Sequence, residues 1–358
     1  MNAPFQPVAL RVRAADLRDP EELRRIEAFV QRHPHGTVFH RPGWLLASAA
    51  GTRNRAHAVV AERGGELTSY LPLTEIHSPL FGRMLASSGF AVGGGLLADD
   101  PKHGGAMFTA LEELALRLSC PAIELRGGAL PLRRAGWVIK QDSHCGFVQP
   151  LAADDEAQLA QIPRKQRAEV RKGLAGDLTV STGTSAADRA AHYTVYAESV
   201  RNLGTPVFPR ALFGAVLDGF GEDADILTVL ANGVPVASVL SLYHRGAVMP
   251  YWGGGTAAAR PLRANDAMYY ALMGHARARG CDRFDFGRSK TGSGAYHFKR
   301  NWGFVPQPLA YAAWTATGAA PRDADPTSPR YQAMIAAWKH LPLPLANRLG
   351  PMISRGLA

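Results

Sequence analysis

The sequence lacks the features that mark membrane-spanning, disulfide-stabilised and zinc-binding proteins. It contains no apolar run long enough for a transmembrane helix. Its three cysteines, Cys120, Cys145 and Cys281, show no C-x-x-C spacing, so neither a disulfide framework nor a zinc site is predicted. The first residues carry neither the charged nor the apolar region of a signal peptide. We therefore expect a cytoplasmic protein without a bound metal.

Acidic residues are outnumbered by basic ones, 30 to 40 in 358 residues, which gives a net charge of +10. The excess is spread along the chain: +3 in residues 1–150, +4 in 151–320 and +3 in 321–358. A DNA-binding groove normally concentrates its basic residues in one patch, so no DNA partner is predicted. The charge favours anionic ligands such as phosphates, acidic glycans, tRNA or coenzyme A.

The chain contains an internal repeat. Residues 59–73 and 227–242 each predict two strands joined by a tight turn, Gly64-Gly65 in the first copy and Asn232-Gly233 in the second. A glycine triplet follows in each copy, at 93–95 and at 253–255. Two copies of one folding unit explain this order better than chance does.

Each glycine triplet is followed by a predicted helix and then a strand. The helices span residues 104–118 and 264–279, and the strands begin at Cys120 and Cys281. The acidic residues Glu124 and Asp285 occupy the same place in these strands, 161 positions apart. A helix between neighbouring parallel strands makes a right-handed crossover, so each half should form a mixed sheet flanked by helices.

This layout resembles the GNAT acyltransferase fold. We predict an α/β (α+β) protein with two tandem GNAT-like domains and a cleft between them. The N-terminal domain would span residues 1–150, the C-terminal domain with the active site 151–320, and a helical tail 321–358.

Several motifs are similar to those of FemAB-type tandem GNAT transferases, especially the branch associated with exosortase and PEP-CTERM systems in exopolysaccharide-producing bacteria. The resemblance runs from about Phe39 to the C-terminus. Its most specific segments lie at residues 162–172, 198–209, 251–256, 285–290, 296–304 and 338–347.

The resemblance implies transfer of an acyl or aminoacyl group to an amine. FemAB relatives take the aminoacyl group from charged tRNA, whereas the wider GNAT group uses acyl-coenzyme A. The run Phe298-Lys299-x-x-Trp302-Gly303 matches a phenylalanine-lysine motif of the Fem family, which places Lys299 close to donor or acceptor. No tightly bound cofactor is implied, and the donor stays open because residues 260–266 lack the glycines of the usual coenzyme A loop.

Three residues of the segment 280–304 are the candidate catalytic groups. Asp285, at the end of a strand predicted to stop at Gly287, would act as base or orient the amine, or else serve as a structural carboxylate. Lys299 would stabilise an oxyanion or a phosphate, or else be solvated. Tyr296 would protonate the leaving group, or simply pack. Residues 296–298 are interpreted as alternating between two faces, with His297 a weaker candidate.

The candidate substrate-binding residues are basic, polar or aromatic. Arg164, Arg167 and Arg171 share one face of a predicted helix and suit a phosphate-bearing substrate, although a solvated surface explains them too. Asn265 either contacts the donor or, with Asp266, caps a helix. The full set is Arg164, Lys165, Arg167, Arg171, Arg288, Asn265 and Trp252.

The resulting hypothesis is an N-acyltransferase that uses an anionic acyl donor and a sugar- or peptide-linked amine of a cell-envelope or exopolysaccharide precursor. One alternative is an aminoacyl-tRNA-dependent transferase of peptidoglycan-bridge type, with tRNA as partner. Another is a non-catalytic module that binds glycan or protein. The tail, residues 329–358, either docks on the second domain or makes peripheral contact with the inner membrane.

Overall fold

The computed structural model describes residues 9–320 and 329–357. Within these ranges the chain forms two compact units. The first unit takes residues up to 140 together with 310–320 and 356–357, and the second takes 141–309 and 329–355.

The first unit alternates strands and helices in the predicted order. Its elements are β1 (Arg11–Ala14), α1 (Pro20–Arg32), α2 (Pro42–Thr52), β2 (Arg55–Arg63), β3 (Glu66–Ser78), β4 (Gly82–Ser87), β5 (Leu97–Ala98), α3 (Gly104–Arg117) and β6 (Ala122–Arg126). Asp19 caps α1 by accepting a hydrogen bond from the amide of Glu21, and Pro20 occupies the first helical position.

The sheet of the first unit is mixed. Strands β1 to β4 pair antiparallel in sequence order, and β4 pairs parallel with β6 across the α3 connection. Next to β6 lies a strand from late in the chain, β13 (Gln307–Thr315), whose residues 311–315 pair antiparallel with it. The helix α3 packs its apolar face, including Met107 and Leu111, against the sheet.

The second unit repeats the plan with additional helices. Its elements are β7 (Trp137–Pro150), α4 (Asp155–Gln161), α5 (Arg164–Leu174), β8 (Leu178–Gly183), α6 (Ala186–Leu203), α7 (Arg210–Phe220), β9 (Ala224–Ala231), β10 (Val234–His244), β11 (Ala247–Gly255), α8 (Ala259–Leu262), α9 (Ala264–Ala278), β12 (Arg283–Lys290), α10 (Gly294–Asn301), α11 (Pro329–Lys339) and α12 (Leu343–Ser354). The sheet order is β7-β12-β11-β10-β9-β8, and only the pair β11–β12 is parallel among these strands.

The repeat predicted from the sequence is confirmed. In both units a tight hairpin is followed by an antiparallel strand, a helix and a parallel strand: β2-β3-β4-α3-β6 and β9-β10-β11-α9-β12. Gly65 and Gly233 adopt φ of +86° and +76° in the two hairpin turns, a conformation that glycine adopts without strain.

The second glycine triplet lets two helices approach β11 from opposite faces. A Cβ on Gly254 would lie 2.2 Å from the Ser199 hydroxyl oxygen of α6. A Cβ on Gly255 would lie 2.6 Å from the side-chain oxygen of Asn265 on α9. Gly254 and Gly255 therefore allow the two helices to pack closely on β11, because larger residues would push the helices away from the strand.

The tail docks on the second unit, one of the two alternatives predicted. Both α11 and α12 pack on α6. The Arg201 guanidinium donates to the carbonyl of Lys339 at 3.2 Å, and the Ser354 hydroxyl donates to the carbonyl of Val207 at 2.9 Å. None of the helices in the described ranges is long and apolar enough to cross a membrane.

Three local predictions need correction. The strand predicted to end at Gly287 continues to Lys290, through a bulge. Residues 296–298, interpreted as alternating between two faces, lie in the helix α10 (Gly294–Asn301), because Ser293 caps it by accepting from the amide of Tyr296 at 3.2 Å. The residue that caps α9 is Arg263, so neither Asn265 nor Asp266 has the predicted capping role.

The domain bounds also differ from the contiguous ranges 1–150 and 151–320. Residues 141–150 lie in the second unit, because the end of β7 pairs with β12. Residues 310–320 lie in the first, because β13 pairs with β6. The sequence repeat includes the hairpin, the helix and the following strand. It gives no sign that β13, which comes after the second copy, pairs within the first unit.

The packing of Gly254 leads to a stability prediction. Gly254→Ala should destabilise the protein by about 1–3 kcal/mol, because its Cβ would overlap the Ser199 side chain. The same substitution should cost less in a Ser199→Gly background, as chemical denaturation of the four members of the cycle would measure. The matched control, Gly214→Ala within α7, meets its nearest atom at 3.8 Å and should stabilise by about 0.5–1 kcal/mol. Equal costs in both backgrounds would contradict this account.

Candidate functional site

The candidate site lies where β11 and β12 part. The two strands pair only at Ala247 with Arg283 and at Val248 with Phe284, although both run on for several residues. Beyond these pairs the described parts of the two strands show no further ladder pairing with each other, so the strands diverge. This opening occurs at the carboxyl ends of parallel strands, where open α/β sheets bind their ligands.

A β-bulge shapes the β12 side of the opening. Opposite β7, the pairing shifts between Asp285 and Arg288, so that two residues of β12 face one residue of β7. Gly287 in the bulge has a φ of +65°. Its amide donates to the Asp285 carboxylate at 2.8 Å, which fixes the orientation of the acid. The bulge therefore aims the predicted catalytic carboxylate.

The Lys299 ammonium lies in a mostly apolar setting. Lys299 is 9% exposed, and its ammonium donates to the carbonyl of Arg288 at 2.9 Å. The rings of Phe147 and Phe286 lie with centroids 5.4 Å and 5.8 Å from the nitrogen, a distance at which a cation is attracted to an aromatic face. The helix α10 thus brings Lys299 back to the strand that carries Asp285.

Burial shifts the pKa of both charged groups of the site, Lys299 and Asp285. Loss of solvent lowers the pKa of Lys299 to about 8, with Asp285 opposing the shift and Arg288 adding to it. Burial also raises the pKa of Asp285, although the Gly287 amide and the Lys299 ammonium act in the other direction. Each of the two groups acts on the pKa of the other through its charge. Such shifts from burial and a charge partner are typical of functional sites.

Tyr296 and Arg288 lie beside this pair. The ring of Tyr296 packs edge-on against Phe147 at 5.6 Å, so it shares that ring with Lys299. Arg288 contributes its backbone carbonyl to Lys299 and lies on the bulged strand. His297, by contrast, is exposed, because the helix turns it away from the position that strand-like alternation would have given it.

Two of the candidate substrate-binding residues contact other parts of the second unit. Trp252 is 4% exposed and packs edge-on against Phe213 of α7 at 4.8 Å, which makes it a core residue in this structure. Asn265 lies beside Gly255 at the start of α9, and its side-chain oxygen is buried without a hydrogen-bond partner among the described residues. Asn265 therefore remains a candidate for a ligand contact.

The basic run lies on α5. The helix packs against α9 through Gln166 and Gly173. Helical spacing places the face of Arg164, Arg167 and Arg171 on the opposite side. Along this face the Arg167 guanidinium donates to the carbonyls of Ile162 and Ala160 at the end of α4. Its role is at least partly structural, while Arg164, Lys165 and Arg171 are exposed to solvent.

Residue Arg263 lies at the turn into α9. It adopts a φ of +54°, the left-handed region that favours glycine, and its guanidinium pairs with Glu169 at 2.5 Å. Such a conformation costs about 1–2 kcal/mol in a non-glycine residue and tends to occur at functional sites.

The first unit fills the corresponding opening with its own chain. Strands β4 and β6 also pair at only two positions. There, however, the Arg126 guanidinium donates to the carbonyl of Ala91, and Gly95 lies so close to Gly127 that a Cβ would be 1.8 Å from its carbonyl oxygen. Glu124, the counterpart of Asp285, pairs with Arg126 at 2.7 Å.

Sequence reasoning missed the aromatic residues around the pair. Phe147 comes from β7, more than 130 positions before Asp285, and no local pattern links them. Tyr269 of α9 packs edge-on against Phe286 at 4.9 Å and lies beside Gly253, so it backs the opening from the helix side. The glycine within the strand at 287 was the one available signal of a bulge.

Part of the chain is similar to known proteins. The family model of the acetyltransferase (GNAT) domain matches residues 160–300, which include the opening, the bulge and Lys299. A search of the curated proteins found no match.

Several solved structures share the fold. FemX is 16% identical, with 81% of this chain and 95% of FemX covered and a TM-score of 0.63. A tandem GNAT protein from the clavulanic acid biosynthesis pathway is 13% identical, with 88% and 100% covered and a TM-score of 0.56. The C-terminal domain of a putative lysylphosphatidylglycerol synthetase from Agrobacterium fabrum is 15% identical, with 82% and 91% covered and a TM-score of 0.54. The predicted fold, two GNAT-like domains in tandem, is confirmed.

The lowered pKa of Lys299 leads to a pH-dependent stability prediction. Between pH 8 and about 10.5 the unfolded state holds the Lys299 proton and the folded state has lost it, so the folded state gains stability as pH rises. Relative to Lys299→Met, the wild type should gain about 3 kcal/mol across this range. Urea denaturation of both proteins at several pH values measures the difference. A constant difference would mean that the ammonium is not desolvated.

Proposed function

We propose that the protein is a FemAB-like N-acyltransferase that moves an acyl or aminoacyl group to an amino group of a cell-envelope or exopolysaccharide precursor. The observation that supports the proposal is that Asp285 and Lys299 are both held at β12, the strand that borders the opening: the Gly287 amide donates to the Asp285 carboxylate, and the Lys299 ammonium donates to the Arg288 carbonyl. The GNAT fold supports acyl transfer as the reaction class. The motif resemblance described above supports the FemAB type and the exosortase-associated branch.

In this reaction the acceptor nitrogen attacks the carbonyl carbon of the donor. A carbon–nitrogen bond forms and the bond from that carbon to the donor sulfur or oxygen breaks. The acceptor ammonium loses its proton to Asp285, whose burial makes it a stronger base than a solvated carboxylate. The leaving group takes a proton from Tyr296, which lies one helical turn before Lys299. The second proton that the acylated nitrogen releases returns to Tyr296, so the leaving group departs protonated and the tyrosine is restored.

Lys299 would stabilise the negative charge that develops on the carbonyl oxygen. With a pKa of about 8, it is roughly nine-tenths protonated at pH 7 and therefore acts as a cation. Its low exposure strengthens this role, since an ammonium stabilises an oxyanion more in a dry site than in water. The backbone carbonyl of Arg288 accepts a hydrogen bond from the Lys299 ammonium, which holds the ammonium in place without neutralising its charge.

The donor is an acyl-coenzyme A or an aminoacyl-tRNA, used as a co-substrate. The GNAT domain match favours acyl-coenzyme A. The FemX likeness keeps charged tRNA as the second candidate, which corresponds to transfer of the peptidoglycan-bridge type. We place the reaction in the cytoplasm, where both donors are made. A non-catalytic GNAT module that binds glycan or protein is the competing hypothesis.

Thermal unfolding with each donor separates these hypotheses. A donor at about a hundred times its dissociation constant should stabilise the protein by about 2.7 kcal/mol, a shift of several degrees. A shift with acetyl- or longer acyl-coenzyme A identifies that donor, and a shift with charged tRNA alone identifies the Fem-like reaction. If neither donor shifts the melting temperature, the proposed donors are wrong.

Substitutions at the pair test catalysis. Lys299→Ala and Asp285→Asn should each lower turnover by about 10²–10³-fold while the protein stays folded, because each removes a charge that acts in the transition state. Lys102→Ala, an exposed lysine in the first unit, is the matched control and should retain full turnover. Unchanged turnover in both site variants would overturn the assignment of these residues.

A further inference from the structure

The last helix, α12, presents two chemically different faces. Ala346, Gly350 and Ser354 form the buried face, which packs on the segment around Val207 of the second unit. Three apolar residues, Leu345, Leu349 and Met352, lie on the other side. They are 43%, 36% and 64% exposed.

The three exposed residues form one stripe. Their spacing of four and three positions places them within about 60° of each other around the helix axis. Single exposed apolar side chains are ordinary, but a stripe opposite a packed face marks a surface that binds a partner. We name Leu345, Leu349 and Met352 the apolar stripe of α12.

The segment that contains the two tail helices carries charge of one sign. Residues 329–358 contain no aspartate or glutamate, whereas they contain Arg330, Lys339, Arg348 and Arg355. Helical spacing places Arg348 and Arg355 along one edge of the stripe, and both are exposed. A helix with an apolar face and a basic border, and without acidic residues, is the pattern that binds anionic membrane surfaces.

The position of α12 leaves the stripe on the outermost layer of the second unit. Helix α6 packs on β10 and β11, and α12 packs on the outer side of α6. With 12 residues, α12 is too short to cross a bilayer but long enough to lie in its interface. The stripe includes none of the residues assigned to acyl transfer.

We propose that the apolar stripe of α12 and its arginine border dock the protein on an anionic lipid surface. Leu345, Leu349 and Met352 would enter the boundary between headgroups and acyl chains, while Arg348 and Arg355 bind lipid phosphates. A second copy of this chain fits less well, because a two-fold contact through the same stripe would bring the arginines of both copies together.

Cosedimentation with vesicles tests the proposal on the full-length protein. It should bind vesicles of equal parts phosphatidylglycerol and phosphatidylcholine, and bind pure phosphatidylcholine at least about tenfold more weakly. Rising salt should weaken the binding, since part of it is electrostatic. No binding to the anionic vesicles, or equal binding to both kinds, would overturn the proposal.

Variants identify the surface. The triple variant Leu345→Ser, Leu349→Ser and Met352→Ser should lose at least about tenfold in vesicle affinity while it stays folded at the assay temperature, because all three side chains are at least 36% exposed. Its control is Leu80→Ser, Leu132→Ser and Val138→Ser, which are 59%, 68% and 60% exposed in the first unit.

Charge reversal tests the border separately. Arg348→Glu should weaken vesicle binding about tenfold or more, and Lys102→Glu should not change it. Equal losses in test and control variants would show that net charge, and not α12, governs binding, which contradicts the proposal. A triple variant that binds vesicles normally but changes oligomeric state would assign the stripe to a second copy instead.

Discussion

The early separation of two parallel strands is the constraint on which the rest of the second unit depends. After two paired residues, β11 and β12 diverge, and the sheet of the second unit opens between them. On the β11 side, the glycine triplet holds α6 and α9 close against the strand, so the opening has firm walls. On the β12 side, the bulge at Gly287 bends the strand and turns Asp285 to where α10 returns Lys299.

Asp285 and Lys299, the charged pair beside this opening, are largely buried although burial disfavours charge. Burial disfavours both charges, since an ion loses hydration energy in an apolar setting. The Gly287 amide, the Arg288 carbonyl and two aromatic rings each compensate part of that loss. Burial raises the pKa of Asp285 and lowers that of Lys299. The raised pKa makes Asp285 a better proton acceptor than a solvated carboxylate, as acyl transfer to an amine requires, whereas Lys299 supplies positive charge.

The sequence was most informative where local chemistry decides the structure. Tight turns at Gly64-Gly65 and Asn232-Gly233, the capped helix after Asp19 and the repeated order of elements were all predictable, because each rests on neighbouring residues. The prediction that residues 296–298 alternate between two faces was wrong, since alternating aromatic residues fit a strand while the Ser293 cap favours a helix.

For the site, the sequence predicted the charged residues but not the side chains that surround them. Asp285 and Lys299 stand in one segment, and both side chains are held at β12, by the Gly287 amide and the Arg288 carbonyl. Phe147 reaches them only because β7 pairs with β12, a contact between distant parts of the chain. Trp252 belongs to a conspicuous motif but is buried by α7, which its own neighbours in sequence do not reveal. Tertiary packing decides such cases.

The return of β13 to the first unit has a consequence for how the protein is made. During synthesis the first 140 residues leave the ribosome long before residues 311–315, which pair with β6. Until then β6 has no strand on that side, and an unpaired strand edge invites association with other chains. The first unit therefore completes its sheet only when most of the second has already been synthesised. The nascent chain must tolerate this delay, and fragments that end near residue 150 inherit the open edge permanently.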